Sequence, residues 1–183
     1  LTKAIFEAVS AHLEDKGALL RGGTIMDATL IAASPSTKNK DRKRDPEMSQ
    51  SKKGNPWTFG MKAHIGLDAR SGLVHAAGVT TGKVHDAKVM DNLIREDDRV
   101  VFADKGYVNE KPKAGRRLSS SQLKRNRRHG AIRAKVEHVF RALKCQFGYR
   151  KVHYRGIDKN GAQVFALLAL ANLFLARRQL RCG

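Results

Sequence analysis

The sequence predicts an α/β protein with a mixed sheet flanked by helices. Three features carry that prediction. Apolar residues recur with helical period near both ends of the chain. Segments 24–32 and 100–103 are short runs of β-branched and small apolar residues. Between them, residues 63–79 form an antiparallel hairpin pattern, which argues against a purely doubly wound sheet.

The elements follow in order. Residues 2–15 place Ile5, Phe6, Val9 and Leu13 at helical spacing, with Gly17 as the stop. Residues 24–32 read as a strand. Residues 34–56 hold three of the four prolines among Ser, Asn and dense charge, and read as a mobile basic loop. Ala63, Ile65 and Leu67 then alternate with Lys62, His64 and Gly66, residues 68–72 supply a turn, and 73–79 return. Asp86 caps a helical pattern through Val89, Met90, Leu93 and Ile94. A strand at 100–103 ends directly in Asp104. Residues 111–128 carry eight Lys or Arg and no acid, and read as a basic linker. One helix is expected over about 131–147 and a second, buried against the sheet, over about 162–177. Residues 1–20 form the leading helical portion, and 21–183 one further domain.

Composition narrows the partner. The 183 residues suffice for one sizeable core, and Lys plus Arg outnumber Asp plus Glu by 36 to 17, a net charge of +19. Such an excess favours a polyanion, with nucleic acid the first choice. A membrane surface would call for a basic amphipathic helix with a broad apolar face, and none is legible. Two cysteines outside any CxxC pair fit a reducing cytosol rather than a disulfide framework.

Three acids stand out. Asp27 interrupts an otherwise apolar strand, where a carboxylate costs several kcal/mol unless a cation or donor meets it. Asp104 closes the run Val-Val-Phe-Ala at a strand end, a position suited to ligands. Glu137 lies on the 131–147 helix. At about 100° per residue, Ile132, Val136, Val139, Phe140, Leu143 and Phe147 share one apolar arc. Arg133, Glu137 and Lys144 fall together at its border, within about 40° by the same count. Taken singly, each acid reads as readily as a solvated strand residue, a turn residue or half of a surface ion pair. Together they match what phosphodiester chemistry with Mg²⁺ requires: hard carboxylate ligands, and two ions about 3.5–4 Å apart that serve the attacking and leaving oxygens. Arg133 and Lys144 would neutralise phosphate. The seven histidines are dispersed, with only His64, His75 and His85 near sheet ends, so no rival zinc site is offered.

Four segments carry a resemblance: Gly23-Thr24-Ile25-Met26-Asp27-Ala28-Thr29, the stretch from Trp57 to His64, Val101-Phe102-Ala103-Asp104-Lys105-Gly106-Tyr107, and the stretch from Arg133 to Lys144. In this order they resemble the DDE-type transposases of bacterial insertion sequences, nearest the insertion-sequence-five branch. The resemblance implies a ribonuclease-H-like fold. It also implies Asp27, Asp104 and Glu137 as the catalytic triad holding Mg²⁺ or Mn²⁺, and Arg133 and Lys144 as signature cations on the Glu helix. Lys105, Lys62, Arg125, Arg127 and Arg128 are the further cations expected to meet DNA. The implied activity is cutting at element ends and strand transfer into double-stranded target DNA, by a protein that often pairs as a homodimer on DNA in the bacterial cytoplasm and nucleoid. Two departures are visible. Gly130 stands where the family often has Tyr, and only 33 positions lead from Asp104 to Glu137, where the family places a further strand. The chain is therefore expected to lack one strand of the set, and its start at Leu1 an upstream DNA-binding portion. The alternative readings are a non-catalytic basic nucleic-acid-binding remnant and a ribonuclease-H-like nuclease.

Overall fold

β1, Thr24–Ala32, is the strand around which the sheet is built. Six of its nine residues are apolar, and most are buried, as suits a strand covered on both faces. The computed structural model describes residues 1–52, 57–103 and 120–181. Within these, β1 pairs antiparallel with β3, Trp57–Asp68, from Thr24 opposite Asp68 to Ala32 opposite Gly60. On its other side it pairs in parallel with β5, Val101–Phe102, with Ile25 beside Phe102. At its last residue, Ala32 exchanges hydrogen bonds with Arg150 and Val152. β3 is flanked on its far side by β2, Ser49–Lys52, and by β4, Val74–Thr81. The result is a curled sheet with antiparallel and parallel pairs, compatible with the ribonuclease-H-like architecture.

The helices cover one face. α1, Thr2–Asp15, buries Phe6 and Leu13 and stops at Gly17, whose φ of +66° suits a residue without Cβ. α4, Ile157–Arg181, lies across the sheet and buries Val164, Leu168 and Ala169. Gly161 lets it approach, because a Cβ there would stand 2.8 Å from a Val79 methyl. Asn172 on α4 then accepts from the Val74 amide at 2.8 Å and donates to its carbonyl at 2.7 Å, capping part of β4's open edge. By length and hydropathy α4 could cross a bilayer, yet here it supplies the core, as the buried-helix reading expected.

Several boundaries differ from the sequence reading. The 34–56 loop contains the strand β2, and its first part is tied down by hydrogen bonds described below. The helical pattern after His85 is a 3-10 segment, Asp86–Asn92, capped by the His85 side chain rather than by Asp86. The basic linker turns helical at Ser120, forming α2, Ser120–Arg133; residues 104–119 lie outside the described set. The expected single helix over 131–147 is instead the end of α2, then α3, Lys135–Arg141, then a π turn, Ala142–Gln146. α4 is also longer than the apolar stretch that announced it, because its ends are polar and their helicity has no apolar period to reveal it.

Candidate active site

The parity of β1 assigns its side chains to two faces. Ile25 and Ile31 enter the core with Val136, Val139 and Phe140 of α3. Asp27 lies between them at the same parity, so it occupies the sheet face that α3 covers. It is half-buried, paired across the ladder with Ile65, and its Oδ1 accepts the Ala28 amide at 2.7 Å. That bond fixes one carboxylate oxygen in place and offsets part of the cost of leaving water.

Glu137 stands on α3 between the core residues Val136 and Val139, and its own side chain is exposed. Helix and strand therefore bring Asp27 and Glu137 to the same side of the sheet. Among the described residues Glu137 makes no ion pair with Arg133 or with any other cation.

Arg133 ends α2 and is half-buried. Lys144 is half-buried within the π turn, where hydrogen bonds span five residues and the 100° count no longer holds. The angular alignment of Arg133, Glu137 and Lys144 read from an unbroken helix is therefore not the geometry present. The apolar arc survives the break: Val136, Val139, Phe140 and Leu143 are all buried. Asp104 and Lys105 lie outside the described residues; Phe102, two residues ahead of Asp104, pairs beside Ile25.

The remaining expected cations divide. Arg127 and Arg128 are exposed on α2, which also carries Arg125. The helix rests on β5 through His129, edge-on to Phe102 at 5.4 Å, and Lys124, Arg127 and Arg128 project from the side away from His129. Lys62 sits on the sheet face opposite Asp27. Its Nζ donates to the Val84 carbonyl at 2.7 Å and to Asp86 at 2.8 Å, which ties down the 3-10 segment. His64, behind it, is fully buried with Nε2 2.8 Å from the Thr80 hydroxyl. Burial, with Lys62 nearby, lowers its pKa to about 4 against the pull of Asp86, so it is neutral at physiological pH.

The described residues contain no group of three His, Cys, Asp or Glu placed to hold a metal ion. Asp27 and Glu137 offer hard carboxylate oxygens, a donor chemistry that suits Mg²⁺ or Mn²⁺. A family model described as the transposase DDE domain matches residues 19–173. The chain belongs to that family. The match begins just ahead of β1 and ends within α4, so it takes in the whole described sheet. No solved structure matched the chain. A DDE transposase domain implies DNA as its partner and generally works with a divalent metal. Sequence reading missed how much of the DDE domain's other sheet face is buried polar structure. The only hint was the polar residues alternating along β3, which equally describe a wet surface.

Proposed function

We propose that this chain is the catalytic portion of an insertion-sequence transposase, nearest the insertion-sequence-five branch, acting at element ends and in strand transfer. The observation that carries the reading is the shared side of Asp27 and Glu137, one on the central strand and one on the helix that covers it. Asp104, two residues past β5, completes the donor set. Asp27, Asp104 and Glu137 would hold Mg²⁺ or Mn²⁺. When bound, the metal supplies Lewis-acid stabilisation of charge on the scissile phosphate.

The chain's own groups account for the rest. Arg133 and Lys144, either side of Glu137 in sequence, meet the negative charge of the phosphate. Asp27, held by the Ala28 amide, keeps one orientation as the other groups load. The exposed cations of α2, with no acid between Ser120 and Arg133, grip the flanking duplex.

The test is cleavage of labelled element-end DNA with Mg²⁺ or Mn²⁺ by the wild-type chain and by Asp27→Asn, Asp104→Ala and Glu137→Gln. Each substitution is expected to lower the rate ~100-fold or more, since a metal contributes several kcal/mol of charge stabilisation, while DNA affinity changes little. Equal cleavage by wild type and variants would remove the triad. A wild type that binds this DNA but never cuts it would favour the second reading, a basic DNA-binding protein without chemistry. The acid-free exposed face of α2 supports that alternative.

A further inference from the structure

The loop from β1 to β2 sorts its charges. Residues 38–47 contain the cations Lys38, Lys40, Arg42, Lys43 and Arg44 and the acids Asp41, Asp45 and Glu47. All three acids are spent holding the loop against the start of α4. Asp41 pairs with Arg155 at 2.8 Å, Asp45 accepts the Gly156 amide at 2.7 Å, and Glu47 accepts the Ile157 amide at 2.5 Å. Arg44 is spent as well, donating to the Pro35 carbonyl at 2.9 Å and lying over the Phe59 ring. Lys38, Lys40, Arg42 and Lys43 remain. All four are exposed, and among the described residues none makes an ion pair.

Their presentation is set by the backbone. Asn39 reaches across the tip, its Nδ2 donating to the Lys43 carbonyl at 2.7 Å and its Oδ1 accepting the Lys43 amide at 3.2 Å. Arg42 takes φ +49° there, a left-handed conformation that costs roughly 1–2 kcal/mol. The facing wall is fixed too. Buried Asn160 donates to the carbonyls of Tyr154 and Gly156 and accepts the amides of His153 and Tyr154. Between the walls lies an open cavity of about 370 Å³, lined by Ser34, Ser36, Lys38, Asn39, Tyr154 and Arg155 among others. The Tyr154 side is 53% exposed.

We propose that this clamped loop and Tyr154 form a DNA-strand-binding site separate from the Asp27 side. Lys38, Lys40, Arg42 and Lys43 take successive phosphates, and an unpaired base stacks on Tyr154 above the hydroxyl and amide groups of the cavity. The inference rests on the DNA reading above and names a surface for it. Five cations against three acids leave the loop net positive, the acids are engaged with the start of α4, and fixed exposed cations of this kind attract a polyanion. The exposed ring beside them distinguishes a nucleic-acid strand from an acidic peptide, since every base offers a face to stack. The loop leaves β1 five residues beyond Asp27, about 17 Å along the strand. One DNA strand covers that separation in about five steps.

The experiment is fluorescence anisotropy with the full chain, using blunt duplex and the same duplex with a single-stranded 3′ tail, across a salt series. Lys40→Gln/Lys43→Gln is expected to weaken tailed DNA and to flatten the slope of log K against log salt by ~1.4–1.8. Tyr154→Ala is expected to reduce the preference for the tailed duplex roughly tenfold. Arg178→Gln/Arg181→Gln removes the same charge from the far end of α4, more than ~30 Å away, and is expected to leave the slope unchanged. Unchanged circular dichroism melting of the Lys40/Lys43 variant shows that the loop still folds. A wild-type slope in that variant, or an equal loss in the α4 control, overturns the proposal while leaving the DNA reading intact. Absence of any wild-type DNA affinity removes both. Loss of affinity for polyglutamate alone would assign the surface to an acidic protein instead.

Discussion

The two faces of the central sheet are closed by different physics. On the face bearing Ile25 and Ile31 of β1 and Met61, Ala63, Ile65 and Leu67 of β3, burial is apolar, under α3 and α4. On the other face, Thr24, Lys62, His64 and Asp68 lie at the alternate positions, and three of them, Thr24, His64 and Asp68, are fully buried. A small apolar cluster of Met26, Val89 and Leu93 also lies there. That face is closed by pairing instead. Asp68 accepts the amides of Gly22, Arg70 and Ser71 and the Arg95 guanidinium. Burial pushes its pKa up, but the Ser71 and Gly22 amides and Arg95 outweigh that and hold it below the ordinary carboxylate value. Arg95 also bridges to Asp98, whose partner Thr24 accepts from His75 at 2.7 Å. Dispersion and area secure the first face, so it tolerates pH but not voids. Specific polar partners secure the second, so it tolerates little change of charge. The proposed metal ligands Asp27 and Glu137 both lie on the apolar side, where the core residues around them hold strand and helix in place.

The largest effect that would test this contrast comes from Asp68→Ala. It strands Arg95 and several amides without their acceptor, and a loss of about 4 kcal/mol is expected in urea unfolding. A loss under about 1 kcal/mol would mean that the network contributes little and that the polar face is closed by something else. Acidification is next. His64 and His75 are both lowered to about 4 by burial, His75 also by Arg95. Because each folded pKa lies below the unfolded value of about 6.5, the unfolded chain binds more protons between those pH values. Stability is therefore whole above about pH 6.5 and declines as pH falls toward 4, by about 3 kcal/mol for the pair between pH 7.5 and 5.5. Denaturant midpoints across that range read the decline, and a flat profile would show that the two rings are not held neutral. The smallest effect belongs to the apolar face. Ile31→Val removes one methyl from a fully buried site and should cost about 1 kcal/mol. The contrast predicts the same cost at pH 7.5 and at 5.5; a cost that changed with pH would tie the two faces together.

Much of the apolar side was legible in the chain itself. The bounds of β1, the hairpin, the stop at Gly17 and the buried arc of Val136, Val139, Phe140 and Leu143 follow from period and composition, because burying a face of a strand or helix imposes a repeat. Asp27 and Glu137 could be singled out for the same reason, as acids set against apolar repeats. The polar side was not legible. Lys62, His64 and Asp68 alternate with apolar residues as they would on a wet surface, and only partners such as Asp86 and Arg95, more than twenty residues away in sequence, make their burial tolerable. The break of the Glu137 helix into α3 and a π turn was hidden too, since apolar spacing cannot report which carbonyl an amide will choose. The sequence by itself determined the family, the mixed sheet and the apolar repeats against which Asp27 and Glu137 stand out. Tertiary structure decided which polar groups could leave water, and which cations of the 38–47 loop were left to face it. Those outcomes depend on partners that meet only when the chain has folded.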